Sequence, residues 1–272
     1  MSNFAAYLDN LQQQGRIAFS KKEAVKALGL PSAAFLAAAS RLIKKHRLAS
    51  PKRGFYLILR PEDQIAGAPD PVRWIDPLMQ HLGLDYRISL LRAAAFHGAS
   101  HQAAMVFQVI APKQIASIGI GRHKIQFVYQ AAKAFAKANR ADWLDRIKSD
   151  AGFAKVAGIE LTLLDSARYL HKTAGLNGVA QIVHDLGAKA APRKLAEAAN
   201  AYENSSVRRL GYLLDHFGYE RQAAALQSFA KKAKSTKSLD PSVKPLASMA
   251  AERHDRNAKW KLDLNETVEI DS

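Results

Sequence analysis

The chain has 272 residues, 48% of them hydrophobic, with 40 Lys plus Arg against 24 Asp plus Glu, a formal net charge of +16. Length and apolar content suit a sizeable core and two domains, or one with an appendage, while the positive excess points to a polyanionic partner, DNA or RNA, because cations that neutralise phosphates release counterions. The absence of cysteine excludes disulfide frameworks, thiol nucleophiles and thiolate metal sites, and no apolar run approaches the ~18 residues of a membrane span, so a soluble, cytoplasmic protein is expected.

Phe4, Tyr7, Leu8 and Leu11 recur at helical spacing, and Gly15 closes that first helix. Ser20 is a natural N-cap and Glu23, three residues on, completes a capping box for a short helix over Lys21 to Leu28. Gly29-Leu30-Pro31 breaks it, since Gly tolerates positive φ and Pro cannot continue the ladder, and Ser32 is expected to cap the next helix. Projected at about 100° per residue, that helix places Phe35, Leu36, Ala39, Leu42, Ile43 and His46 on one side and Ala33, Ala37, Ser40, Arg41 and Lys44 on the other. The first set is a stripe to pack on the preceding helices. The second combines small residues that approach a groove floor with a Ser, an Arg and a Lys that reach bases or phosphates.

Leu48 to Leu59 follows as a hairpin, with Ser50-Pro51-Lys52-Arg53-Gly54 as a cationic turn and Phe55 to Leu59 as a β-prone return strand. Three helices and a basic hairpin read as a winged helix-turn-helix, so double-stranded DNA is the first partner to consider. Residues 1–60 hold eleven Lys and Arg against Asp9 and Glu23, a formal +9 in under a quarter of the length. The expected DNA contacts are Ser32, Ala33, Ala37, Ser40, Arg41, Lys44 and Lys45 on the helix, with Lys52 and Arg53 on the wing. An Ala-rich helix with ordinary solubilising charges is the bland alternative for the helix alone.

Pro61, Gly67, Pro69, Pro71 and Pro77 mark residues 61–80 as a linker or boundary, although Trp74, Ile75, Leu78 and Met79 suit an end that packs down. Arg87 to His97 reads as an Ala-rich amphipathic helix ended by Gly98. Met105 to Ile110 and Lys124 to Tyr129 are β-prone, with Ile115 to Ile120 between them and a glycine turn at Gly119 and Gly121. Residues 131–150 read as helix and Phe153 to Ile159 as a strand. Thr162 with Asp165 resembles an N-cap pair for a helix through Leu170. Further helices are expected near Val179 to Leu186, Pro192 to Tyr202, Ser206 to Phe217 and Arg221 to Lys234. Lys231 to Pro245 reads as an exposed loop, Trp260 to Asn265 as a strand or turn, and Asp263, Glu266, Glu269 and Asp271 as a short acidic tail.

The expected fold class is therefore α+β and helix-rich: a winged helix-turn-helix in 1–60, a boundary in 61–80, and in 81–272 a larger mixed domain with a small sheet and a mostly helical C-terminal part. Catalytic signals are weak. His97 and His101 stand four apart, but Gly98 ends the helix between them and no third ligand follows. His171, His184 and His216 lie on separate helices without a nucleophile signature. Gly119-x-Gly121 lacks the third Gly and the Lys-Ser/Thr ending of a phosphate loop. No metal, no cofactor and no catalysis are expected.

Several stretches of the C-terminal half carry a recognisable pattern: Tyr86-Arg87-Ile88-Ser89 leading to Ala95-Phe96-His97-Gly98, Val156 through Asp165, Arg208-Arg209-Leu210-Gly211-Tyr212-Leu213-Leu214, and Trp260 to Asn265. In order and spacing they resemble the AbiEi family of bacterial type IV antitoxins, over about residues 85–270. The resemblance implies an N-terminal winged domain that represses its own operon at inverted repeats in promoter DNA. It further implies an antitoxin domain over 81–272 that counters a cognate nucleotidyltransferase toxin, without stating whether the two touch. The family supplies no residue list for antitoxicity, and a basic face including Arg168, Arg208 or Arg209 is read from charge alone. The alternatives are a plain winged-helix regulator whose C-terminal domain binds an effector or oligomerises, and an enzyme acting on nucleic acid or nucleotide, for which no converging carboxylates are evident.

Overall fold

A computed structural model describes residues 3–99, 106–243 and 255–270; His101 and Asp271 lie outside them. The chain opens with helix α1 (Asn3–Gln13), strand β1 (Ala18–Ser20), helices α2 (Lys21–Leu28) and α3 (Ser32–Lys44), and strands β2 (Leu48–Lys52) and β3 (Phe55–Ile58). The three strands form an antiparallel sheet in the order β1-β3-β2, an arrangement compatible with a winged helix. Its core is aromatic: Phe35 packs 5.4 Å from both Phe4 and Tyr56, and Phe19 stacks on Tyr56 at 5.5 Å. Strand β1 was not expected from sequence, because a three-residue strand is specified by its partner rather than by local pattern.

The caps of α2 behave as local chemistry dictates, with one diversion. Ser20 Oγ accepts from the Glu23 amide at 3.1 Å, and Gly29 ends the helix in the left-handed region at φ 63°. The Glu23 carboxylate, however, turns to Arg16 Nη2 at 2.9 Å. That hydrogen bond comes first among the causes that hold the Glu23 carboxyl below the usual carboxylate range. A lowered folded-state value contributes stability that is present above the unfolded pKa of about 4.3 and is lost as pH falls through the folded one. Both side chains are more than a third exposed, so Glu23→Gln should lower stability at pH 7 by under about 1 kcal/mol. The difference from the parent should shrink in melts as pH falls below the unfolded pKa and vanish once the folded-state Glu23 carboxyl is protonated.

Two expectations about α3 change. The amide of Phe35 donates to Pro31 O at 3.0 Å, so the helix begins one residue early, with Pro31 at the N-cap and Ser32 inside the first turn. The buried stripe is also narrower than projected. Phe35 and Ala39 are buried and Ala38 and Leu42 packed against them, whereas Leu36, Ile43 and His46 are exposed.

Residues 61–80 are folded rather than open chain: a helical turn α4 (Pro61–Gln64), a 3₁₀ turn at Pro71–Arg73 and helix α5 (Ile75–His81). Trp74, Ile75, Leu78 and Met79 are fully buried, and the Trp74 indole donates to Pro69 O at 2.9 Å. Arg73 bridges Asp63 at 3.2 Å and Asp150 at 2.6 Å. Next come β4 (Arg87–Ile88), α6 (Leu90–Phe96), β5 (Val106–Ala111), β6 (Ile118–Ile120), β7 (His123–Tyr129), α7 (Ala132–Ala138), β8 (Leu144–Ser149) and β9 (Gly152–Ala157). The strands form one sheet in the order β6-β7-β5-β4-β9-β8, with β5 and β7 parallel and β4–β5 and β6–β7 antiparallel. The helix expected over 131–150 stops at Ala138: Trp143 is buried in a 3₁₀ turn, and from Leu144 the chain is a strand.

Helices α8 (Ile159–Arg168), α9 (Gly175–Leu186), α10 (Pro192–Ala199), α11 (Asn204–His216) and α12 (Glu220–Lys231) follow, then strands β10 (Lys237–Ser238), β11 (Asp255–Asn257) and β12 (Leu262–Leu264). The chain forms two compact units. One comprises the described residues of Met1–Ile88, Met105–Ala131 and Arg146–Lys155, the other those of Ser89–Ala104, Ala132–Asp145 and Val156–Ser272. Among the described residues no helix is long and apolar enough to cross a membrane.

The second unit is built around α8, which packs on α6, α9, α10 and α11 and is buried from Glu160 through Ala167. Surrounded on all sides, it engages most of the polar side chains it buries, with Ser166 Oγ the exception. Glu160 accepts the Ala191 amide at 2.8 Å and pairs with Lys194 at 3.3 Å, while Thr162 Oγ1 donates to Ala157 O at 3.1 Å. Asp165 accepts from Ser89 Oγ at 2.6 Å and Tyr202 Oη at 2.7 Å. Thr162 and Asp165 therefore do not start the helix, which begins at Ile159 with Gly158 as N-cap. They fasten its middle.

Candidate nucleic-acid interface

In the first unit, α3 meets the wing through a Schellman turn. Arg47 N donates to Leu42 O at 2.9 Å and His46 N to Ile43 O at 3.0 Å, with His46 at φ 52°. This left-handed residue ends the helix and turns the chain into β2. The wing is narrower at its tip than the sequence suggests. Ser50, Pro51 and Lys52 belong to β2, whose pairing with β3 shifts register between Ala49 and Lys52. The turn itself is only Arg53-Gly54, with Gly54 at φ 77°, and Ser50 Oγ braces it through Phe55 O at 3.0 Å. Directly after the turn, the Phe55 ring lies 5.4 Å from the His81 ring and 6.4 Å from Trp74.

On this frame Ser32, Ala33, Ala37, Ser40, Arg41, Lys44 and Lys45 are all exposed along α3; Arg53 is exposed at the wing tip and Lys52 half-buried beside it. Leu36 and Ile43, 46% and 38% exposed, share the open side of the helix. Sequence projection assigned them to the core because both are apolar; the tighter 35-38-39-42 stripe was the signal that they are surplus to packing. An open face of alanines, Leu36, Ser40 and Ile43 flanked by cations offers methyl contacts to thymine and charge to phosphate.

The electrostatics match. Among the described residues, Arg41, Lys44, Lys45, Lys52 and Arg53 form no ion pair with a carboxylate; Arg41 makes only a 3.4 Å contact to Ala37 O in its own helix. By contrast, Arg16, Arg60 and Arg73 of the same unit are paired with Glu23, Asp150 and Asp63. The cations of α3 and the wing are thus left for an external anion, together with the exposed Lys22, Lys26 and Arg47 beside them.

The arginines read as a basic face in the second unit are placed otherwise. Arg168 pairs with Glu203 at 2.8 Å. Arg208 and Arg209 are 2% and 8% exposed, because α11 is packed by α8 and α12 and overlaid by the segment around β10 and β12. Arg208 Nη1 donates to Ser235, Trp260 and Lys261 carbonyls, and Arg209 Nε to Ser238 O. Burial depresses the pKa of both guanidinium groups. They hold the chain's later strands rather than presenting charge outward.

The remaining chemistry candidates resolve into structure. His97 Nε2 lies 2.7 Å from Ala157 O, and no group of three metal-ligating side chains occurs among the described residues. Gly121 forms the tip of the β6–β7 hairpin and approaches Gly67 so closely that a Cβ would overlap Ala66 O, while Arg122 N donates to Ala66 O at 2.8 Å. Backbone fills the place a phosphate would need.

Residues 87–216, from β4 through α11, match the AbiEi antitoxin C-terminal domain. The crystal structure of the RV2827C protein from Mycobacterium tuberculosis is similar in fold. It has a TM-score of 0.64 at 16% sequence identity, over 94% of this chain and 89% of that one. No curated protein matches the chain. Over residues 87–216, just under half of its length, the chain is thus similar to the AbiEi antitoxin C-terminal domain.

Proposed function

We propose that the chain is a DNA-binding antitoxin of a type IV system, which represses its own operon through the N-terminal winged helix and counters a nucleotidyltransferase toxin through its AbiEi-type domain, with no catalysis of its own. The observation that carries this reading is the pairing of an antitoxin domain with a winged helix whose exposed cations lack internal partners. In this reading Ser32, Ala33, Ala37, Ser40, Arg41, Lys44 and Lys45 enter the major groove of an inverted repeat, and Lys52 and Arg53 meet phosphate beside it. The domain division at 61–80 is proposed as a functional one, DNA binding before it and antitoxicity after it.

The test separates the two activities. Arg41→Ala with Lys44→Ala should lower operator affinity about tenfold or more in gel shifts, with an unchanged circular dichroism melt and undiminished rescue of cells expressing the neighbouring toxin gene. Unchanged operator affinity would sink the recognition-helix assignment. Lost rescue would show that antitoxicity runs through DNA binding. Neutralising Lys52 and Arg53 should weaken binding to every sequence alike and reduce the slope of log K against log salt by about one to two. An unaltered slope would place the wing away from phosphate.

A further inference from the structure

The second unit holds an open cavity of about 360 Å³ where α11 begins. Its wall includes Asn204 and Ser205 from the first turn, Arg208 one turn on, and Lys232, Lys234 and Lys237 from the segment after α12. Four cations line it, and no carboxylate does. The three lysines are exposed and take part in no ion pair among the described residues. Arg208 is 2% exposed, and only its Nη1 is engaged, with three backbone carbonyls. Its Nε is buried with no hydrogen-bond partner, and no bond is made by Nη2. A buried guanidinium with no anion beside it is an unbalanced charge in a poorly solvated place, and burial depresses its pKa with no carboxylate to offset it.

The helix end adds to the same field. Glu203 at the N-cap of α11 makes no capping hydrogen bond, because its carboxylate is turned to Arg168 at 2.8 Å. The first-turn amides and the positive end of the helix dipole are left uncapped by any side chain. The opposing carbonyls at the end of α12 are partly satisfied: Phe229 O accepts from Asn204 Nδ2 and Ala233 O from Lys261 Nζ, each at 2.7 Å.

We propose that this cavity binds the polyphosphate group of a small molecule, with Arg208 and the α11 amides at its floor and Lys232, Lys234 and Lys237 around its mouth. No aromatic ring lines the cavity, so a base would find no stacking surface, and inorganic pyrophosphate and a nucleoside triphosphate should bind alike. At about 30 Å³ per water, the volume equals about a dozen waters, room for more than one phosphoryl group. The site is independent of the DNA reading, since no residue of the winged helix takes part.

Calorimetry and thermal melts of the full chain at constant ionic strength test it, with inorganic pyrophosphate, ATP and adenosine as probes. Pyrophosphate at one hundred times its Kd should raise Tm by about 5 °C or more. ATP should do the same, and adenosine nothing. The Lys232→Gln, Lys234→Gln, Lys237→Gln variant changes exposed side chains only, so it should melt as the parent does without ligand and bind pyrophosphate at least tenfold more weakly. The proposal is overturned if pyrophosphate shifts Tm no more than chloride, if the triple variant keeps the full shift, or if adenosine matches ATP. It is also overturned if the triple variant loses affinity for random duplex DNA while pyrophosphate fails to compete with that DNA for the parent, which would make the cavity part of a nucleic-acid surface.

Discussion

Replacing Asp165 by alanine is expected to destabilise the second unit by about 3–5 kcal/mol, the cost of breaking a buried charged or hydrogen-bonded network. The residue is 0% exposed on a helix enclosed by four others. It ties α8 to Ser89 ahead of α6 and to Tyr202 after α10 through bonds of 2.6 and 2.7 Å. Alanine would leave two buried hydroxyls without their acceptor and open a void where the carboxyl sat, and each loss adds to the other. Ser89→Ala and Tyr202→Phe, which remove one bond each and leave the acceptor in place, should cost about 1–2 kcal/mol apiece. Urea melts of the three variants and the Ser89→Ala, Tyr202→Phe double variant measure this. A cost below about 1 kcal/mol for Asp165→Ala would show that the network is idle.

Gly211→Ala should destabilise the chain, although helix propensity argues the other way. In the interior of α11, alanine is favoured over glycine by about 0.5–1 kcal/mol. Here the added methyl would overlap the Trp260 ring, which lies on the helix at that point. Trp260 is fully buried, its indole donating to Asp215 at 2.8 Å. Displacing it would also remove the Trp260 and Lys261 carbonyls from Arg208. The expected cost is about 3–5 kcal/mol, that of losing a buried tryptophan, with a red shift of tryptophan emission and new protease sensitivity between 255 and 265. A variant more stable than the parent would show that the ring sits elsewhere. In that case propensity alone would govern the site.

Elements whose determinants are local were legible in the sequence. Helix α2 runs from Lys21 to Leu28 as expected, because Ser20 and Gly29 fix its ends by capping and positive φ. Strand β1 was invisible because its partner, Phe55 to Leu57, lies far along the chain. Thr162 and Asp165 fit a capping pattern by spacing, yet tertiary packing recruits both side chains for other partners. The helical face of α3 was read in the right register but too wide, since an apolar residue looks the same whether it packs inward or stays open as Leu36 and Ile43 do. Arg208 and Arg209 were taken for surface charge for the converse reason: nothing near them in sequence foretells the carbonyls, up to 53 residues away, that receive them.

That separation has a consequence for how the chain is made. Arg208 leaves the ribosome well before Trp260, 52 residues later, so at about 5–20 residues per second α11 waits about 3–10 s for the carbonyls that receive its guanidinium. Until then the helix keeps that charge hydrated and its Gly211 groove open to water. Docking of the 255–265 segment is thus the step that marks a finished molecule, and a stalled or nicked chain carries an unsealed helix for cellular proteases to find.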